Sequence, residues 1–225
     1  METITSGKFE YIAFFDIDRT IAGSVSGSEL VRGAYKRGLM RTSDMTRAVI
    51  LSAEYRLRLL KPEKIINKMT AWVKGLPEET INKLCLEVFN EIILPSFFSQ
   101  VKAEMEFHRK NNAGLVILSS SITPICKFTA GHFEMDGILC SELEVKDGVL
   151  TGRSVRPLCF GKEKAVRLKE YCELNHIDPG KCWYYGDSVS DSVVLSLVGF
   201  PICINPDRQL AKLAKKNGWR TEKWE

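Results

Sequence analysis

The alternation of apolar and polar residues divides this chain into three stretches. "YIAFFD", ending on Asp16, is a short apolar and aromatic run, the pattern of a parallel strand buried on both faces. The next stretch, from Ala22 to Leu94, changes period. "SGSELVRGAYKRGLM", "SDMTRAVILSAEYRLRLL", "PEKIINKMTAWV" and "PEETINKLCLEVFNEII" each open on Ser, or on Pro just inside the first turn, with Glu or Asp close behind. Apolar residues recur at three and four, as in Ile81, Leu84, Val88 and Ile92. The stretch reads as an all-helical unit, too long for a simple crossover.

From Pro95 onward, strand and helix alternate. "PSFFSQVKAEMEFHRKNNA" predicts a helix closed by Gly114, followed by a buried strand "LVILS". "PICKFTAGHF" reads as a short helix, and Asp147-Gly148 marks a hairpin between two strand-like runs. "KEKAVRLKEYCELN" predicts an amphipathic helix, "CWYYGD" a strand, "SDSVVLSLV" a helix and "FPICIN" a strand. "PDRQLAKLAKKNG" closes the series as a final helix with Gly218 at its C-cap. This is an α/β chain, a Rossmann-like three-layer core around a mostly parallel sheet. The strand before the helical block belongs with the strands after it. The expected division is a core of residues 1–21 and 95–225, with 22–94 inserted as a helical cap.

Composition narrows the function classes. The 225 residues suffice for one large domain, or a core with an appendage. A net charge of +4, with both signs mixed along the chain, gives no reason to expect nucleic acid or a membrane surface as partner. No apolar run is long enough to span a bilayer, and the first residues lack a signal-peptide pattern. Seven cysteines, none in a CxxC spacing, point to buried thiols in a reducing cytoplasm. His108, His132 and His176 have no ligand spacing, and Phe97, Phe98 and Phe107 read as core.

The chemistry gathers at strand ends. Three of the predicted strands end on Asp16, Ser119 (first of Ser119, Ser120 and Ser121 after the apolar run) and Asp187, and in open α/β sheets ligands bind beyond the strand carboxyl ends. Asp18 shares one side of the extended chain with Asp16. Lys164 opens a helix after Gly161 and can lean toward the same crevice, although Lys162 competes for that place. Several carboxylates in one cleft repel unless a cation sits among them, and oxygen donors without His or Cys favour a hard ion such as Mg²⁺. A hydroxyl and a lysine would complete a phosphoryl pocket. Asp16 can then act as nucleophile, while Asp18 protonates the leaving oxygen and later activates water.

These residues resemble the haloacid dehalogenase superfamily of phosphohydrolases. "DIDRTI" looks like its DxDxT motif, "VILSSS" like its apolar run ending in Ser or Thr, Lys164 like its third motif and "GDSVSD" like GDxxxD. The helical insertion and the tail are similar to the phosphoserine-phosphatase-like branch. The resemblance implies Asp16 as nucleophile and metal ligand, and Asp18 as acid/base with its carbonyl on the metal. It implies Thr20 holding the loop at the phosphate site, Ser119 and Lys164 binding the phosphoryl group, Asp187 anchoring Mg²⁺ and Asp191 supporting its shell. Arg19 departs from the pattern, where small residues are commoner. The expected function is Mg²⁺-dependent hydrolysis of a small phosphorylated metabolite, phosphoserine-like by resemblance. A phosphotransferase or mutase of the superfamily shares these residues. A phospho-aspartate signalling receiver would lack Asp18 and the inserted helices.

Overall fold

A computed structural model describes residues 9–47, 50 and 70–225. The strands are β1 (Tyr11–Phe15), β2 (Ala113–Ile122), β3 (Gly137–Ser141), β4 (Leu143–Lys146), β5 (Val149–Ser154), β6 (Trp183–Gly186), β7 (Phe200–Ile204) and β8 (Arg220–Glu222). The helices are α1 (Ser26–Lys36), α2 (Glu78–Val88), α3 (Gln100–Lys110), α4 (Thr123–His132), α5 (Lys162–Leu174), α6 (Ser192–Leu195) and α7 (Arg208–Asn217). Among the described residues, six strands form one parallel sheet in the order β3-β2-β1-β6-β7-β8, while β4 and β5 pair antiparallel as a separate hairpin.

Central position explains the unbroken apolar run of β1. Ile12, Ala13, Phe14 and Phe15 are all fully buried, because β1 has a strand on each edge and helices on both faces. The strand period of two sends Ala13 and Phe15 to one face and Ile12 and Phe14 to the other. The first face packs against Val101 and Met105 of α3, and Ile125, Cys126 and Ala130 of α4. The second packs against Ala165, Leu168 and Cys172 of α5, Val194 and Leu195 of α6, and Leu210 and Ala214 of α7. The result is the three-layer α/β arrangement the alternation predicts.

Several local expectations shift. Gly114 does not close a helix: α3 ends at Lys110, Asn112 takes the left-handed turn at φ +53°, and Gly114 lies inside β2. The site is crowded, since a Cβ would stand 2.7 Å from the end of the Ile12 side chain and 2.8 Å from the Phe9 ring, and those side chains would have to shift. β2 runs past Ser119 to Ile122, with a register shift against β3 after Leu118. "SDSVVLSLV" gives only a 3₁₀ turn, Val189–Asp191, and the four-residue α6. α1 opens on Ser26 as the pattern predicts, whereas Pro77 is the N-cap of α2, not a residue of its first turn. The edge strand β8 was not anticipated; its three residues are too few for a periodic signal. Phe107 is 46% exposed instead of core, whereas His108 is fully buried.

The hairpin forms as Asp147-Gly148 predicts, with both residues at positive φ (52° and 74°). Its β5 side pairs with the end of the helical stretch: Gly75 and Leu76 exchange backbone bonds with Leu150, and Glu78 N–H donates to the Gly148 carbonyl at 3.0 Å. Within 22–94, the described part therefore includes extended pairing as well as α1, helical residues 42–47, a 3₁₀ turn at Ala71–Val73 and α2. Most of the expected helices over 43–60 and 62–73 lies outside the described residues. At the base of the stretch, chain entry and exit run side by side. Gly23 N–H donates to the Ser96 carbonyl at 2.8 Å, and Ala22 bridges Phe97.

Candidate active site

The register of the sheet brings three strand ends to one level. Phe15 pairs with Ile117 of β2 and with Tyr185 of β6, so Asp16, Ser119 and Asp187 emerge at the same edge within two residues of that level. Asp16 is 5% exposed and held from two sides. Its Oδ1 accepts from the Ile17 N–H at 2.8 Å, and its Oδ2 lies 2.9 Å from Lys164 Nζ. The Ser119 hydroxyl, fully buried, is within hydrogen-bonding reach of the same carboxylate. Lys164, in the first turn of α5, is 2% exposed, whereas Lys162 faces solvent. The lysine ammonium also meets Asp191 Oδ1 at 2.7 Å and donates to the Tyr184 hydroxyl at 3.0 Å.

Asp191 is fully buried, and protein groups occupy both its oxygens. Besides Lys164, Oδ1 accepts from the Tyr184 hydroxyl at 2.8 Å. Its Oδ2 accepts from the Ser188 N–H at 3.3 Å and the Ser188 hydroxyl at 3.0 Å, a capping box over the 3₁₀ turn. The Asp187 side-chain oxygens have no hydrogen-bond partner among the described residues, although the side chain is nearly buried. Asp16, Asp187 and Asp191 each offer an oxygen within 4.8 Å of the others.

Among the described residues, the three buried carboxylates share one buried ammonium, with Arg19 at the exposed edge, which leaves the cluster short of positive charge. Burial, then the neighbouring Asp16 and Asp191, push the Asp187 carboxyl up to about 8. Burial also raises Asp16, with Lys164 acting against it. For Lys164 itself, burial opposes the charge, but Asp16 and Asp191 outweigh it and hold the ammonium well above the usual lysine range. An unpartnered carboxylate beside two others, all hard oxygen donors, is the donor set a divalent ion such as Mg²⁺ takes. The residues therefore fit that cofactor.

Asp18 stands slightly apart. Its Oδ1 accepts from the Ser26 N–H at 2.9 Å, and its Oδ2 from the Ser26 hydroxyl at 3.1 Å. Burial first, then the charge of Asp16, lift its carboxyl to about 6. The loop after it closes on one carbonyl: the N–H groups of Thr20, Ile21 and Ala22 all donate to Ile17 O. Thr20 is fully buried, and its hydroxyl has no hydrogen-bond partner among the described residues. Arg19 adopts φ +58° and is exposed, close enough to Asp187 to draw its carboxyl down slightly.

Sequence reasoning missed Tyr184 and Ser26. Tyr184 was legible in part: the strand period puts it on the α5 face of β6, the side from which Lys164 approaches. Gly186 makes room for it, since a Cβ there would stand 2.8 Å from the Tyr184 ring. Ser26 gave no such signal, because its meeting with Asp18 depends on how the loop of residues 19–25 turns back.

Comparison with known proteins identifies the family and the fold. The sequence model of the haloacid dehalogenase-like hydrolases matches residues 13–196, most of the chain. The phosphoserine phosphatase SerB1 of Mycobacterium tuberculosis is 26% identical over 211 residues, covering 92% of this chain and 68% of that protein. The histidinol-phosphatase of Neisseria meningitidis serogroup C is 25% identical over 217 residues, covering 92% and 96%. The crystal structure of a protein of unknown function from Bordetella pertussis Tohama I superposes with a TM-score of 0.85 at 22% identity, covering 95% of this chain and 98% of that one. No helix among the described residues is long and apolar enough to cross a membrane. The chain belongs to the haloacid dehalogenase-like hydrolase family.

Proposed function

We propose that this chain is a Mg²⁺-dependent phosphatase that hydrolyses a small phosphorylated metabolite through an aspartyl-phosphate on Asp16. The observation that carries the reading is the ion pair of Asp16 with Lys164 at 2.9 Å, set within a cluster of buried carboxylates. Asp16, Asp187 and the Asp18 carbonyl would hold Mg²⁺, with Asp191 at the edge of the cluster. When bound, Mg²⁺ supplies the positive charge that the carboxylates and a phosphate dianion require.

The protein groups divide the remaining work. Ile17 N–H and Lys164 fix the Asp16 carboxylate so that it cannot swing away from an incoming phosphorus. An Asp16 oxygen forms a bond to phosphorus as the ester P–O bond breaks. The Asp18 carboxyl gives its proton to the departing oxygen, so an alcohol leaves and Asp18 becomes a carboxylate. That carboxylate then takes a proton from water, whose oxygen attacks the phosphorus of the acyl-phosphate; phosphate departs and Asp16 is restored. The Ser119 hydroxyl and Lys164 face the phosphoryl oxygens and balance their charge.

Named relatives act on phosphoserine and on histidinol phosphate, both small amino-bearing phosphomonoesters, and this supports a substrate of that size and kind. The inserted helical stretch would cover the cleft as a cap, which favours small substrates over folded phosphoproteins. Seven free, buried cysteines support a reducing cytoplasm as its setting. A panel of phosphorylated metabolites, assayed for phosphate release with Mg²⁺ and with EDTA, tests the reading. Hydrolysis of one or more members that stops with EDTA is expected. Undiminished hydrolysis in EDTA, or none across the panel with Mg²⁺, would overturn it.

A further inference from the structure

The Asp18 carboxyl is tied to the start of α1 by Ser26. Ser26 is the first residue of α1 and is 1% exposed. Its backbone N–H and its hydroxyl reach the two different oxygens of the Asp18 carboxyl, at 2.9 and 3.1 Å. A carboxyl contacted at both oxygens by one residue cannot rotate about its terminal torsion without losing a bond. The Ser26 hydroxyl is in turn fixed by Ser121 Oγ at 2.5 Å, and the Ser121 N–H lies 3.3 Å from the Ser119 hydroxyl. A chain of contacts thus runs from α1 through buried Ser26 to half-buried Asp18, and through buried Ser121 to the serine that faces Asp16.

Part of this has a structural purpose. Val25 supplies no side-chain cap to α1, so Asp18 satisfies one of the free N–H groups at the helix start. That purpose needs only the backbone N–H. The hydroxyl contact and its support by Ser121 are additional, and they fix the plane of the carboxyl.

We infer that Ser26 is a positioning residue for proton transfer: it holds the Asp18 carboxyl in the orientation from which it protonates the leaving oxygen, and Ser121 holds Ser26. The inference rests on the proposed role of Asp18 as the proton donor. It makes a prediction that a purely structural role does not. The second-order rate constant kcat/KM covers the steps through formation of the aspartyl-phosphate, and there the need for a proton depends on the leaving group. An alkoxide requires one as the P–O bond breaks, whereas p-nitrophenolate departs without it.

The test compares kcat/KM for a primary alkyl phosphate and for p-nitrophenyl phosphate in wild type, Ser26→Ala, Ser121→Ala and Asp18→Asn. Retained folding is checked by the rise in Tm on adding Mg²⁺. Ser26→Ala is expected to lose about 10-fold or more on the alkyl ester and less than about 3-fold on the aryl ester, a share of the range for a positioned acid. Ser121→Ala should show the same selectivity to a smaller degree, and Asp18→Asn to a larger one. Equal losses on both esters in Ser26→Ala and Ser121→Ala, with selectivity kept in Asp18→Asn, would overturn the inference and leave the hydrolase reading standing. Absence of selectivity in Asp18→Asn would remove Asp18 as the donor, and the inference with it.

Discussion

Lys164→Met removes the ammonium from between two buried carboxylates while keeping most of the side chain's bulk. In the wild type, Nζ lies 2.9 Å from Asp16 and 2.7 Å from Asp191, with all three side chains almost fully buried. Removing one member of a buried ion pair costs about 3–5 kcal/mol, because the partner charge is left uncompensated. At roughly 3 °C per kcal/mol for a chain of this size, the metal-free Tm should fall by about 9–15 °C at pH 8. The sign of the pH dependence follows from Asp16. Burial raises its carboxyl and Lys164 acts against that, so in the folded variant Asp16 holds its proton more tightly than in the unfolded chain, and the deficit should narrow as the pH is lowered toward 5. Added Mg²⁺ should narrow it as well, by supplying positive charge beside the same groups. Thermal melts of both proteins at pH 5, 6.5 and 8, in EDTA and in Mg²⁺, give the full set. A variant as stable as wild type at pH 8 in EDTA, or a deficit independent of both pH and Mg²⁺, would refute the charge balance drawn here.

The wild-type site has its own pH signature. With Asp18 near 6 and Asp187 near 8, against about 4 in the unfolded chain, metal-free stability should decline as pH rises from about 4 to 8; stabilisation by Mg²⁺ should grow over the same window, and a Tm shift on Mg²⁺ addition that is equal at pH 5 and pH 8 would contradict it. His108 should be neutral and carry its proton on Nε2: Tyr185 donates to Glu104 at 2.5 Å, so it accepts from Nε2 at 2.7 Å, while Tyr11 donates to Nδ1 at 2.9 Å. Burial lowers His108 to about 4. Its contribution to stability is therefore lost as pH falls from about 6.5 toward 4, and ¹⁵N chemical shifts showing an Nδ1–H tautomer or titration near 6.5 would rule this out. Gly114→Ala should cost about 1–3 kcal/mol by forcing a methyl against Ile12 and Phe9, measurable by denaturant unfolding; an unchanged midpoint would show that the two side chains give way.

The fold was legible where the hydrophobic period was long or absolute. β1 and α5 follow from an unbroken apolar run and an amphipathic repeat, and Asp147-Gly148 specified its hairpin because two consecutive positive φ values suit few other pairs. Short or crowded elements were not legible. β8 has three residues, and the role of Gly114 depends on Phe9 and Ile12 across the sheet, not on its neighbours in sequence. The site divides in the same way. Asp16, Ser119 and Asp187 could be grouped because a parallel sheet aligns strand ends, and the exposure of Lys162 separates it from buried Lys164. The contacts of Ser26 with Asp18 and of Tyr184 with Asp191 were hidden, because they join side chains through loop geometry that no local pattern encodes.

The proposed hydrolysis turns on Asp16 accepting the phosphoryl group. Acid quenching during turnover of a good phosphomonoester substrate with Mg²⁺, followed by mass spectrometry of peptides, measures this directly. A phosphate adduct is expected on the peptide containing Asp16, labile to hydroxylamine and absent in Asp16→Asn, which should also lose turnover. Normal turnover by Asp16→Asn, or a covalent adduct on any other residue, would contradict it.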